Sequence, residues 1–392
     1  MHLLHTCAAL AIGALATATL PTGALAQQKL TTVRVAYVPV ATWLPAWVAK
    51  DTGIFAKHGL DVTLTPIQNL SLLPGTVGRQ FEIAASTPPD VIKAAAGGLD
   101  VVAVAGEAIE TKDNQAMQVI VRKDSGIKGP KDLKGKAIAA PTLGAVMHVA
   151  TLYWLKKNGV DPNSIRGVEV PFPNMGDQLK AKNVDAVEAL VPFTTAILAA
   201  GNVSLGDPML AVGDEVLFPF WIASGPWARA NKPVIKAFID SLTEAKAYMD
   251  AHPDEGRAIL AKYSHLPPAI VAKVPYPTYR FTLKPEELGV WVDVLADLGQ
   301  VSGTIDNETG EKFLRFYREI SGVILAIAAA IAAFLGWQIT RRGLLPLQAM
   351  TEAIGKIDSR NLQSRLEFKS LPDELHPLAR AFNQTLERLE QS

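Results

Sequence analysis

The sequence predicts an α/β protein built on parallel sheets, followed by one membrane-crossing helix and a short helical tail. Three observations carry this. From residue 31 to about 300, short apolar strands alternate with helical stretches. From Ile320 to Ile339 the chain runs twenty residues without a formal charge, long enough at about 1.5 Å per residue to cross a bilayer. Beyond it, apolar residues recur at spacings of three and four.

The first segment, MHLLHTCAALAIGALATATLPTGALA (1–26), is a small-apolar run with a turn-like Pro21 and a small-x-small ending at Ala24–Ala26. It fits a cleaved secretory signal, with an uncleaved membrane anchor as the alternative. Its flank carries His2 and His5 but no Lys or Arg. The single cysteine, Cys7, lies inside it, so the mature chain has neither a disulfide framework nor a thiol nucleophile. Thr6 before Cys7 argues against lipidation.

The α/β region then reads in order. VRVAYV (33–38) is a strand, LPAWVAKDTGIFAKHG (44–59) helical, and DVTLTPI (61–67) a strand. FEIAAS (81–86) leads into TPPDVIKAAAGG, a helix with prolines in its first turn and glycines at its stop. VVAVAGE (101–107), AMQVIVR (116–122) and KAIAAP (136–141) continue the series. A helix follows in which Met147, Ala150, Tyr153 and Trp154 share a face. GVEVPFP (167–173) and DAVEALV (185–191) complete the strands. KPVIKAFIDSLTEAKAYMDAH is an amphipathic helix with Val234, Phe238, Leu242, Ala245 and Met249 on its apolar face. No internal repeat is visible between 31 and 300.

The polar block TIDNETG (304–310) marks a boundary. Tyr317 and Trp337 flank the apolar span as interfacial anchors, and Arg341 and Arg342 follow it as on a cytoplasmic side. Lys312, Arg315 and Arg318 on the other flank make that asymmetry modest. A helix buried in a soluble core is the alternative. After the span, Leu347, Met350, Ile354 and Ile357 form one seam, and Leu375, Leu378, Phe382, Leu386 and Leu389 another. Two such chains make a four-helix bundle.

Charges balance, with Lys+Arg 38 against Asp+Glu 38, which argues against a nucleic-acid partner. The chain contains no HExxH, CxxC, GxGxxG or GxSxG. GPKDLKGK lacks the spacing and the hydroxyl of a phosphate loop. The histidines do not cluster at metal-ligand spacing, and His376 is followed by Pro377 where a phosphoacceptor motif needs an acid. Neither enzyme chemistry nor a cofactor or metal is expected.

What remains is a set of loop tips at strand ends, where open α/β sheets bind ligands. They supply Tyr37, Thr42 and Trp43; Ser86 and Thr87; Glu107; Thr142 and Gly144; and Asn174. Ser86, Thr87 and Thr142 stand just before helices, whose free N–H groups suit a small anion, though each fits an ordinary helix cap as well. Trp43, Phe220, Trp221, Tyr276 and Tyr279 are candidates for apolar walls, or for core packing.

Four stretches, AYVPVATWLPAWVAKDTGIFAKHGLDV, RKDSGIKGPKDLKGKAIAAPTLGA, VEVPFPNMGDQLKAKNVDAVEALVPF and PFWIASGPWARANKPVIKAFI, stand out. Through them residues 31–302 resemble the periplasmic solute-binding proteins of the sulfonate, nitrate and thiamine-precursor group of ABC importers. Val191 stands where that group often has Glu before Pro-Phe. The resemblance implies a two-lobe binding-protein fold of type II over 27–303, with a second lobe at about 123–214. It implies hinge strands near Arg122-Lys123 and near Phe220-Trp221, and a small-molecule ligand in the cleft, a sulfonate-like anion or a heterocycle. Enzymes of thiamine-precursor type rely on a cysteine-bearing motif that is absent here.

RRGLLPLQAM, with Pro346, and DELHPLARAFNQTLERLE, with Glu374 and Phe382-Asn383, resemble the HAMP domain of heavy-metal-type sensor kinases. That implies a linker at 304–319, a membrane helix at 320–339 and a HAMP domain at 340–392. It further implies a homodimer through both. The binding lobes lie in the periplasm, HAMP lies in the cytoplasm, and the span crosses a bacterial inner membrane. Such receptors continue into a kinase or other output domain that this chain does not reach, as a truncated receptor or a fusion. The expected role is a ligand sensor; the alternative is the tethered binding component of an importer, with an ABC permease as partner.

Overall fold

The computed structural model describes residues 29–284, 286–301, 329–338 and 376–390. The signal segment, the 304–319 linker, most of the apolar span and the first tail seam lie outside the described residues.

Among the described residues, thirteen strands form three sheets. The first has the order β2 (Leu60–Pro66), β1 (Thr31–Tyr37), β3 (Ile83–Ser86), β12 (Phe220–Ser224) and β4 (Val101–Gly106). The second has β10 (Val203–Gly206), β6 (Met117–Val121), β9 (Ala186–Leu190), β7 (Ala137–Ala140) and β8 (Arg166–Glu169). Read from its other edge, the second sheet repeats the first: two parallel partners around a central strand, then one antiparallel strand, then an edge strand.

The sheets are therefore mixed, not parallel as expected. The antiparallel strands are β12 and β6. Each is the first strand laid down after the chain crosses from the other lobe, so it enters its sheet running the other way.

Both crossings pass through a third small sheet, β11 (Glu215–Leu217), β5 (Ala108–Thr111) and β13 (Thr278–Tyr279). This moves the hinge. Arg122-Lys123 follow β6 within the second lobe, and Phe220-Trp221 pair with β3 and β4 in the first. The second sheet begins at Met117, ahead of the expected start near 123.

The first lobe packs around the helix Leu44–Asp51, which buries Leu44 through Ala49 and exposes only Lys50 and Asp51 at its end. It lies against the helices Lys232–Ala251 and Pro253–Ser264, so its apolar turns are enclosed. Helix Lys232–Ala251 buries Ile235, Phe238, Leu242, Ala245 and Met249. Val234, expected on that stripe, sits at its margin. In helix Val146–Lys157 the first two turns are buried all round, while Tyr153 and Trp154 are only half-buried.

Helix Glu286–Asp297 joins the parts together. It packs on helix Pro88–Ala96 of the first lobe and on Val146–Lys157 of the second. Trp291 Nε1 donates to the Leu217 carbonyl in the hinge sheet at 3.1 Å, and Lys156 Nζ pairs with Asp297 Oδ1 at 2.8 Å.

Of the apolar span, residues 329–338 are helical, with Ile331, Phe334, Leu335 and Trp337 all more than half exposed. Among the described residues no helix is long and apolar enough to cross a membrane. Of the tail, His376–Glu390 is one helix, and Phe382 is half-buried.

Candidate functional site

The carboxyl ends of both sheets face one another across the hinge, and the lobes are closed. Ala41 N donates to the Val191 carbonyl at 3.0 Å. Lys93 Nζ donates to the Gly144 carbonyl at 2.7 Å. Between these contacts lies a cavity of about 40 Å³, room for roughly three water-sized groups.

Four of the expected residues line it: Thr42, Trp43, Thr87 and Thr142. Val38, Val40, Met147, Phe172, Leu190 and Phe218 supply apolar wall, and Gln68 a further amide. No Lys, Arg, His, Asp or Glu side chain is among the lining residues. Thr42 Oγ1 is buried with no hydrogen-bond partner among the described residues, so its hydroxyl is available to a solute.

Trp43 connects this cavity to a second layer. Its ring meets Trp221 edge-on with centroids 4.5 Å apart. Trp221 Nε1 donates to Glu107 Oε2. Glu107 is fully buried and its Oε1 is unpartnered among the described residues. Burial lifts the Glu107 carboxyl well above its usual range, against the opposing pull of the Trp221 indole. Ser86 Oγ, across β12 from Gly106, is likewise buried and unpartnered.

The other expected residues lie elsewhere. Tyr37 packs edge-on against Trp47 at 5.5 Å, on the helix side of its sheet. Burial and the Asp51 carboxylate push its phenol up to about 12. Tyr279 donates from its hydroxyl to the Ala41 carbonyl at 2.7 Å, fastening the loop that carries Thr42. Tyr276 lies against Arg257. Gly144 serves as the acceptor for Lys93. Asn174 is exposed. His148 is buried and meets Glu188 Oε1 at 3.2 Å.

The helix starts differ from the expected anion cradles. Thr87 holds the N-cap position of helix Pro88–Ala96, but its hydroxyl caps no backbone N–H, and Pro88 and Pro89 occupy the first two positions and carry none. Asp90 follows, buried, accepting from Ser71 Oγ at 2.6 Å and from Thr87 Oγ1. A carboxylate thus occupies the positive end of the dipole. Burial, opposed by these hydroxyls and by Lys93, holds Asp90 above its usual pKa. Thr142 does not cap the next helix; Ala145 does. Gln68 and Leu70 carry no sequence signal, since they come from a loop and a 3-10 turn after β2 without periodicity.

Comparison with known proteins agrees with this architecture. The NMT1/THI5 like family model matches residues 41–256, more than half of the 392-residue chain, and the HAMP domain model matches 339–391. A putative aliphatic sulfonates-binding protein of Escherichia coli is 28% identical over 188 residues, 47% of this chain and 56% of that one. The sensor protein CopS of Pseudomonas syringae pv. tomato is 35% identical over 80 residues, 20% of this chain and 16% of that one. The chain thus spans about half of the first relative and a small part of the second. The crystal structure of the periplasmic aliphatic sulphonate binding protein SsuA from Escherichia coli superposes with a TM-score of 0.59 at 21% identity, covering 69% of this chain and 94% of that one. This is the periplasmic binding protein fold.

Proposed function

Because the chain belongs to the NMT1/THI5-like family and carries a HAMP domain, we propose that it is a membrane-anchored solute sensor, its binding lobes outside the cytoplasm and its HAMP domain inside, acting as a homodimer. It is a binding protein and not an enzyme. A solute enters between the lobes and contacts Thr42, Trp43, Thr87 and Thr142, with Glu107 and Ser86 as hydrogen-bonding groups behind Trp43. Its binding shifts the balance between open and closed lobes. The shift is limited to the difference in affinity for the two states.

The observation that favours sensing over delivery is the helix Glu286–Asp297. It touches the first lobe, the second lobe and the hinge sheet at once. Among the described residues it is the last helix ahead of the apolar span in the sequence. A change in lobe angle therefore changes the seating of this helix. The exposed apolar side chains of Ile331, Phe334 and Leu335 in the described part of the span support its burial in lipid.

For the solute, the lining favours a compact neutral heterocycle over a sulfonate. An anion would meet no cation there, and the prolines remove two donors from the nearest helix start.

The test uses the full chain in lipid nanodiscs, with Cys7→Ser and Thr385→Cys on the HAMP helix. Melting temperature is read against aminopyrimidines, alkanesulfonates, nitrate and aromatic acids, and interchain disulfide formation at 385 is followed with each stabilising solute. A solute that raises the melting temperature and changes the crosslinking rate supports the sensor. A stabilising solute with an unchanged crosslinking rate supports the importer role, with a permease as partner, and defeats the sensor.

A further inference from the structure

A second concavity lies on the flank where the lobes meet. It measures about 820 Å³ and shares one lining residue, Phe172, with the interlobe cavity. That volume falls within the roughly 300–1,000 Å³ of small-molecule sites.

Its floor is apolar. Phe172 and Phe193 stack with centroids 5.9 Å apart and planes 7° from parallel. Ile197 continues the floor from the second lobe and Leu266 closes it from the first. Its rim is basic. Arg122, Lys123, Lys180 and Lys182 face Asp124 and Asp177, four cations against two carboxylates, in a chain whose overall charge is zero. Asp124 is already engaged, by Arg122 Nε at 3.4 Å and Lys182 Nζ at 3.9 Å. Arg122 is further tied to the Leu179 and Val184 carbonyls at 3.1 Å each. Among the described residues no carboxylate lies within ion-pairing distance of Lys123 or Lys180.

We propose that this groove is a second ligand site, for a small organic anion with an apolar body, an aryl or alkyl carboxylate or sulfonate. The apolar body lies on the Phe172–Phe193 stack and Ile197, and the anionic head meets Lys123 and Lys180. This division of labour reverses that of the interlobe cavity, whose lining carries no charge. The occupant touches the second lobe along most of its length and the first lobe at Ser264–Leu266. It therefore binds best at one lobe angle. Phe172 is the wall that the cavity and the groove share.

The test is benzenesulfonate, at millimolar concentration, on the full chain in nanodiscs. Reductive methylation of lysines is read by mass spectrometry, with Lys236 as internal reference and benzyl alcohol as the uncharged counterpart. Benzenesulfonate is expected to protect Lys123 and Lys180 but not Lys236. The protection is expected to survive Thr142→Phe, which fills the interlobe cavity, to weaken about threefold in Lys180→Gln, and to vanish in Ile197→Asp. A circular dichroism melt checks that Ile197→Asp is folded, and Lys180→Gln stands if it is not. Absence of protection overturns the proposal. So does equal protection at Lys236, which marks a general counterion effect, and so does protection lost in Thr142→Phe, which places the anion in the cleft.

Discussion

Lys93 reaches from the first lobe to the second, donating to the Gly144 carbonyl at 2.7 Å and to Gln300 Oε1 at 2.9 Å. It holds the cleft shut with a charged donor on a neutral acceptor. Burial lowers its pKa, and the Asp90 carboxylate opposes that. Lys93→Met is expected to remove about 1.5 kcal/mol from the closed state, roughly a tenfold shift toward open lobes. Distances between spin labels on the two lobes of the solute-free protein read this directly. An unchanged distribution would show that other contacts carry the closure.

Glu110 and Asp207 meet between the two crossings. Burial, reinforced by Asp207, raises Glu110 to about 10, and burial raises Asp207 to about 6. Glu110 Oε1 accepts from Ala116 N and from Met117 N at 3.2 Å, and Asp207 Oδ1 accepts from Met209 N at 2.8 Å. Both folded pKa values lie above the ordinary carboxyl range, so the folded state holds more protons than the unfolded one. Stability is then greatest at low pH. It falls as pH rises from the unfolded value to about 6 for Asp207, and on toward about 10 for Glu110. Glu110→Gln is expected to flatten the decline of the melting temperature between pH 6 and 9 relative to the parent protein. Parallel pH profiles would refute the assignment.

Trp221→Phe keeps the ring packing on Trp43 and removes the indole donor to Glu107. It leaves a buried carboxyl with neither oxygen paired among the described residues, a loss of about 1–3 kcal/mol. Urea unfolding is expected to show it. Adding Glu107→Met to Trp221→Phe is expected to recover much of the loss, since both polar partners are then gone. A double variant no better than the single one would place the defect in packing.

The anion exclusion at helix Pro88–Ala96 is also open to experiment. Pro89→Ala with Asp90→Asn restores one N–H and removes the carboxylate at the helix start. A gain of about 0.3–1 kcal/mol in anion affinity is expected, read as methanesulfonate-induced stabilisation beyond that of the parent. No gain would mean that the apolar wall, and not the helix start, rejects anions.

The strands and helices of the lobes were legible because their apolar runs and Pro/Gly stops are local. Strand direction was not. VVAVAG of β4 and FWIAS of β12 are both apolar except for Ser224, and nothing in either tells which is antiparallel. The repeat of sheet order across the lobes leaves no trace in the sequence, since burial on both faces asks only for apolar residues. The lining of the interlobe cavity was legible in part. Hydroxyl and aromatic tips at strand ends brought Thr42, Trp43, Thr87 and Thr142 into view. Tyr37 went the other way because it is the last residue of β1 and turns to the helix layer against Trp47. Lys93 and Asp90, the charged groups that shape the cleft, sit inside an otherwise apolar helix and read as ordinary surface positions.

The place of β12 in the first sheet has a consequence for biosynthesis. It lies between β3 and β4, although more than a hundred residues separate it from either in the chain. As the chain leaves the ribosome, Ile83–Ser86 and Val101–Gly106 emerge as two unpaired edges with a strand-wide gap between them. The second lobe, from Met117 to Gly206, has every strand of its own sheet before that gap is filled. The lobe made first is thus the one finished last, and its open edges are exposed throughout the synthesis of the other.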